Sequence, residues 1–214
     1  MPTPPSAPSR SDLAARIAAA VAGVAREGYA VVPDFLPPEE VTGLRGDCLA
    51  LWEAGRFAPA GIGRGGQRQR NGAIRGDAVL WLDEAPQSAP LQRYATALEA
   101  LRLAINERLM LGVFELEAHF AVYPAGTGYR RHLDRFRDSD LRTLTCVLYL
   151  NEAWQPEDGG QLRLYLDGAA DAPYLDVIPA AGTLACFLSA DFPHEVLPAR
   201  RERLALTGWL RRRG

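Results

Sequence analysis

The chain has 214 residues, enough for one domain with a sizeable core, and a formal net charge of -2 at pH 7. That charge offers no electrostatic footprint for nucleic acid, and Arg211-Arg212-Arg213 reads as a solvated strand end. The sequence contains no Lys, which excludes a Schiff-base or Walker lysine and leaves any carboxylate clamp to guanidinium.

Residues 1–10 are rich in Pro and Ser, lack an apolar signal region, and read as a disordered leader. No apolar run approaches a membrane span, and Cys48, Cys146 and Cys186 are odd in number and widely spaced. The chain therefore reads as a cytoplasmic protein with reduced, buried thiols. From Ser11 an Ala-rich helix runs to a stop at Gly28, and a strand is expected over Tyr29 to Phe35. Pro37-Pro38-Glu39-Glu40 opens a second helix to about Trp52, with acidic residues in its first turn, where the helix dipole favours them.

The segment 61–72 is dense in Gly, Arg and Gln. It lacks the Lys-Ser/Thr ending of a phosphate loop and reads as a mobile loop covering a site. A short apolar run follows at Val79 to Leu82, and Ser88-Ala89-Pro90 caps a long helix reaching about Met110. Its apolar face carries Leu91, Tyr94, Leu98, Leu101 and Ile105.

After Gly112 short β-type runs alternate with turn signals such as Asp158-Gly159-Gly160 and Pro179-Ala180-Ala181-Gly182. Strands are expected at about 115–123, 143–151, 161–166, 174–178, 183–188, 194–198 and 203–211. The expected fold is α+β: a double-stranded β-helix (jelly roll) barrel with N-terminal and packing α-helices. The helical flank covers 11–112 and the barrel core about 113–212 of a single domain over 11–214.

Only three His are present, at 119, 132 and 194. His132 and Asp134 stand two apart, which in an extended strand puts both on one face. His194 comes about sixty residues later, and a jelly roll can bring such distant strands together at its mouth. Two His and one Asp can occupy one face of an octahedral iron. The residues by themselves also fit an exposed turn His beside a solvated Asp. His119 reads as a packed or strand-surface residue. Arg203 opens an alternating strand in which residues 203, 205, 207 and 209 share a face, and a buried guanidinium there needs an anionic partner. A dicarboxylate cosubstrate would supply one through paired hydrogen bonds.

The string Tyr123-Pro124 … Gly128-Tyr129-Arg130-Arg131-His132-Leu133-Asp134 is followed by Tyr149-Leu150-Asn151, Gly159-Gly160-Gln161-Leu162, Pro193-His194-Glu195-Val196 and Arg203 to Trp209. With Ile74-Arg75-Gly76-Asp77 and Trp81 upstream, it resembles the hypoxia-type prolyl hydroxylases among the iron and 2-oxoglutarate oxygenases over roughly residues 74–210. The absence of further modules makes the size similar to compact bacterial members.

The resemblance implies that His132, Asp134 and His194 bind Fe(II), with O2 as the oxidant and ascorbate as a candidate reductant. It implies that Arg203 pairs with the distal carboxylate of 2-oxoglutarate and that Tyr149 hydrogen-bonds to it, with Tyr123 and Thr207 at further pocket positions. Val147, Leu162 and Val196 match its apolar lining. Trp209, Arg75, Asp77, Arg142 and Val196 fall on the substrate side, with an Asp77–Arg142 ion pair. No catalytic side chain is expected beyond the metal centre.

The implied activity is prolyl 4-hydroxylation of a protein or peptide by a monomer, yielding succinate and CO2, with a translation factor as one candidate target. Two readings stand beside it: the same cofactor chemistry on a free amino acid or small metabolite, and a non-catalytic cupin-like binding module.

Overall fold

The structure, a computed structural model, describes residues 10–61, 71–135, 141–169 and 173–213. The leader 1–9, most of the Gly-rich 61–72 segment and most of the charged run after Asp134 lie outside the described residues. No helix among the described residues is long and apolar enough to cross a membrane.

Helix α1 (Arg10–Glu27) buries Ile17, Ala20, Val21 and Val24, spaced to share one helical face, and ends at Gly28. Strand β1 (Tyr29–Val32) follows. It is shorter than the expected 29–35 because Asp34 takes φ 51°, the left-handed region, and turns the chain out of the sheet. Helix α2 (Pro38–Glu53) has Pro in its first turn and Glu39 and Glu40 at its positive end. Strands β2 (Ala58–Pro59) and β3 (Ala78–Trp81) precede α3 (Ala89–Leu109). There the Ser88 side chain accepts a hydrogen bond from the Leu91 N–H at 3.2 Å, and Met110 closes the far end in the left-handed conformation.

The rest of the chain is β: β4 (Glu115–Tyr123), β5 (Tyr129–His132), β6 (Arg142–Tyr149), β7 (Leu162–Tyr165), β8 (Tyr174–Val177), β9 (Leu184–Leu188), β10 (His194–Val196) and β11 (Arg203–Arg211). They form two antiparallel sheets, a large one in the order β1-β9-β6-β11-β4-β3-β2 and a small one in the order β5-β10-β7-β8. This is the α+β double-stranded β-helix with packing helices.

Alternation along the strands builds three layers. Phe120, Val122, Leu144, Leu148, Leu204 and Leu206 face the helices and share one apolar cluster with Leu44, Leu98 and Leu101. Their odd-numbered neighbours Ala121, Tyr123, Val147, Tyr149 and Ala205 face inward against Leu162, Leu164, Val177 and Val196 of the small sheet. All three cysteines are free and buried, as expected.

Leu101 has no exposed surface and packs α3 against the large sheet. Leu101→Ala is expected to cost roughly 2–5 kcal/mol. A melting curve should shift down by about 5–15 °C, and an unchanged midpoint would contradict the packing described.

Candidate metal centre

The small sheet brings two imidazoles together directly. β10 lies between β5 and β7, and His194 is the cross-strand partner of His132. Gly128 permits this closeness, because a Cβ there would run into the Val196 carbonyl oxygen. The two rings stand 4.2 Å apart between centroids. Tyr129 stacks on His132 at 3.6 Å, and Phe187 meets His194 edge-on at 4.8 Å.

Asp134 arrives differently from expectation. β5 ends at His132, so the two side chains do not share a strand face; the chain bends, and Asp134 is held in place by tertiary contacts. The Thr145 hydroxyl donates to Asp134 Oδ2 at 2.9 Å, and the Arg135 N–H donates to the Ser189 carbonyl at 3.2 Å. Asp134 Oδ1 then lies 3.5 Å from His132 Nε2, and Oδ2 lies 3.5 Å from His194 Nε2. One ligand atom from each of the three residues falls within 4.8 Å of the others.

The protonation pattern suits a divalent metal. Nδ1 of His132 lies 2.7 Å from the Arg130 carbonyl oxygen, and Nδ1 of His194 lies 3.0 Å from that of Phe192. A carbonyl only accepts, so each Nδ1 carries a proton and each Nε2 is the ring atom turned toward Asp134. Burial, with His132 adding to it, pushes His194 down to about 4 and keeps it neutral. Burial raises Asp134, but His194, then His132 and Trp209, outweigh it and hold the carboxyl below its usual range. Two imidazole nitrogens and one carboxylate on one side of a cavity fit a facial triad for non-haem Fe(II).

The same cavity, of about 330 Å³, is lined by the triad and by Arg203, Tyr123 and Thr207. Arg203 is 2% exposed and donates from Nε to the Gly160 carbonyl at 2.8 Å. Gly160 has φ 69°, and a Cβ there would crowd Ala199 and the Arg203 stem. Among the described residues no Asp or Glu pairs with Arg203, whose guanidinium carbon stands 5.0 Å from the Tyr123 ring and 5.1 Å from the Tyr149 ring. Tyr149, expected in the pocket, is not among the residues lining the cavity; its ring lies beside the Arg203 guanidinium, and its buried hydroxyl has no hydrogen-bond partner among the described residues. Burial pushes that phenol up to about 12, with Arg203 pulling against it. A buried cation and a buried hydroxyl donor, both lacking an anion, form a cradle for a carboxylate.

Arg75, Trp81, Glu117, His119, Arg142 and Trp209 also line the cavity. The expected Asp77–Arg142 pair is corrected here. Both oxygens of Asp77 are taken by Arg75, at 2.7 and 2.9 Å, whereas Arg142 reaches Glu117 at 3.0 Å and lies 3.4 Å over the Trp209 ring. Arg75 is only two residues away on the same segment and satisfies the carboxylate before a distant partner can. Val196, Val147 and Leu162 line the cavity as apolar wall.

Several residues that shape the site had no signal of their own in the sequence. Thr145 and Ser189 are hydrogen-bonded to each other at 2.9 Å behind Asp134. Asn151 ties β11 in place by accepting from the Leu204 N–H at 2.7 Å and donating to the Pro179 carbonyl at 2.8 Å. Of these, Thr145 and Asn151 stand inside the stretch 144–151 that shares in the family resemblance, and Ser189 does not. His119, expected as a packed or surface residue, is packed, and it also lines the cavity.

Comparison with known proteins agrees with this geometry. Residues 118–211 match the model of the 2OG-Fe(II) oxygenase superfamily. A crystal structure of a Pseudomonas putida prolyl-4-hydroxylase is 48% identical with a TM-score of 0.82, over 92% of this chain and all of that one. A Trichoplax adhaerens prolyl hydroxylase, solved with a hypoxia-inducible-factor peptide fragment, is 27% identical with a TM-score of 0.81 over 94% of this chain and 93% of that one. The human Egl nine homolog 1 is 32% identical over 86% of this chain, which spans 44% of that protein's length.

Proposed function

The chain belongs to the prolyl-hydroxylase group of the 2OG-Fe(II) oxygenase superfamily, and from that premise we propose that it hydroxylates a prolyl residue of a protein or peptide at C4. The observation that carries this reading is the pairing, in one cavity, of the His132-Asp134-His194 cluster with a buried Arg203 that lacks a carboxylate partner. Fe(II) with 2-oxoglutarate, when bound, supplies the oxidising chemistry, consuming O2 and releasing succinate and CO2 while one oxygen atom goes to the substrate.

The protein's own part is positioning. In this reading Nε2 of His132, Nε2 of His194 and the Asp134 carboxylate hold the metal on one face. Arg203 grips the distal carboxylate of 2-oxoglutarate and Tyr149 donates its O–H to it. Tyr123 shapes the cosubstrate end, and Thr207, paired with His119 across β11 and β4, borders the prolyl side. Trp209 and Val196 offer apolar surface to the prolyl ring. Arg75, Asp77 and Arg142 act as a fixed charged rim: each is already ion-paired, so the rim orients a peptide without leaving a bare charge in the cavity. A translation factor is the target class suggested by the likeness to compact relatives.

The test is incubation with Fe(II), 2-oxoglutarate and either proline-containing peptides or free proline, read by mass spectrometry. The expected result is a gain of one oxygen atom on proline within peptides. Oxidation of the free amino acid alone would favour the small-metabolite reading. No conversion of 2-oxoglutarate to succinate by the iron-loaded protein, with or without these substrates, would favour the binding-module reading.

A further inference from the structure

The inward face of the paired strands β4 and β11 is a ladder whose rungs change in character. In register, Tyr123 lies opposite Arg203, Ala121 opposite Ala205, His119 opposite Thr207, and Glu117 opposite Trp209. The first rung carries the guanidinium, the second only two methyl groups, and the third an imidazole and a hydroxyl. At about 3.4 Å per residue the third rung stands roughly 14 Å from the first, beyond the span of one five-carbon dicarboxylate anchored at Arg203. His119 therefore belongs to the half of the cavity left for substrate.

Its surroundings are unusual for a packing residue. His119 is 1% exposed and forms a triangle of rings with Trp81, at 4.8 Å, and Trp209, at 5.4 Å between centroids, the two indoles standing 6.4 Å apart. Neither ring nitrogen has a hydrogen-bond partner among the described residues, and Nδ1 is fully buried. Burial, reinforced by Arg75, pushes the ring down to about 3, so it is a neutral imidazole with one N–H donor. A Phe or Met would fill the same space against two indoles without leaving a buried polar group unpaired. The charged neighbours are occupied: Arg75 by Asp77 and Arg142 by Glu117.

Resting on the prolyl-peptide reading, we propose that His119 is a specificity-determining residue whose ring Nε2–H donates a hydrogen bond to the backbone carbonyl of the bound prolyl residue. A prolyl residue has no amide N–H, so its carbonyl oxygen is its one backbone hydrogen-bonding atom. Trp81 and Trp209 hold the imidazole plane while the prolyl ring lies against the Trp209 side of the cavity.

The experiment uses the full chain with Fe(II), 2-oxoglutarate and a set of acetylated, amidated pentapeptides, each with one central proline, and measures hydroxyproline formation. His119→Phe is expected to raise peptide KM about tenfold. It should leave the KM for 2-oxoglutarate in place and raise the melting temperature by removing an unpaired polar group. His119→Gln, which keeps an N–H donor, should recover most of the peptide KM. If the Phe variant fails to fold, His119→Met is read the same way. A Phe or Met variant with the peptide KM of the wild type, in a protein that does hydroxylate peptides, overturns the role of His119 and leaves the prolyl reading standing. A wild type that hydroxylates none of the peptides overturns the prolyl reading and this inference with it.

Discussion

His194→Ala should abolish iron-dependent turnover and remove measurable Fe(II) affinity while the fold persists. His194 is the central strand's contribution to the cluster, directly opposite His132 and 3.5 Å from Asp134. Without it the metal would keep one imidazole and one carboxylate, too few to fill a facial set. Losing only an outer hydrogen-bond partner of a ligand typically costs 10–100-fold in metal affinity or activity, so loss of a ligand itself should exceed about 100-fold. Backbone pairing of β10 with β5 and β7 does not need the imidazole, so far-ultraviolet circular dichroism should be unchanged. Retained iron affinity and turnover would remove His194 from the metal site.

Arg203→Ala should leave Fe(II) binding intact and weaken 2-oxoglutarate binding by roughly a hundredfold to a thousandfold, the scale of removing one partner from a buried charge pair. The guanidinium is the buried cation at the cosubstrate end that no Asp or Glu among the described residues neutralises. Its Nε is engaged by the Gly160 carbonyl, which aims the remaining N–H groups toward the two tyrosine rings. Arg203→Lys should fall between, because an ammonium cannot reproduce a planar two-bond grip. Titration calorimetry with 2-oxoglutarate separates the cases, and wild-type affinity in the Ala variant would refute the carboxylate clamp.

Much of the architecture could be read from local patterning. β4 and β11 begin and end where alternation of the sequence placed them, because each has one face on the helices and one in the barrel. Ser88 likewise marked the start of α3 through a cap that is a local interaction. β5 had no such signature. Tyr129 and His132 line the cavity while Arg130 and Arg131 between them do not, and the pairing with β10 shifts register, so no period-two pattern exists to be read. The two-residue β2 is too short to show a pattern.

The site was legible in proportion to how far its residues act alone. His132, Asp134, His194 and Arg203 carry chemistry that a motif can display. The bend that brings in Asp134 depends on Thr145 and Ser189, which are distant in sequence and ordinary in type. Asp77 and Arg142 each found another partner, since ion pairing is decided by local geometry that the linear order does not contain. His119 differed again: only the combination of burial, two neighbouring indoles and missing hydrogen bonds distinguishes it from a core histidine.

The central claim is that one cavity couples 2-oxoglutarate turnover to oxidation of a prolyl residue. Quantifying succinate and 4-hydroxyproline together, from the iron-loaded full chain with a proline-containing peptide, tests it most directly. The account predicts that the two products form one-to-one and that both disappear in the His194→Ala variant. Succinate released without hydroxyproline, or turnover that survives the loss of His194, would contradict it.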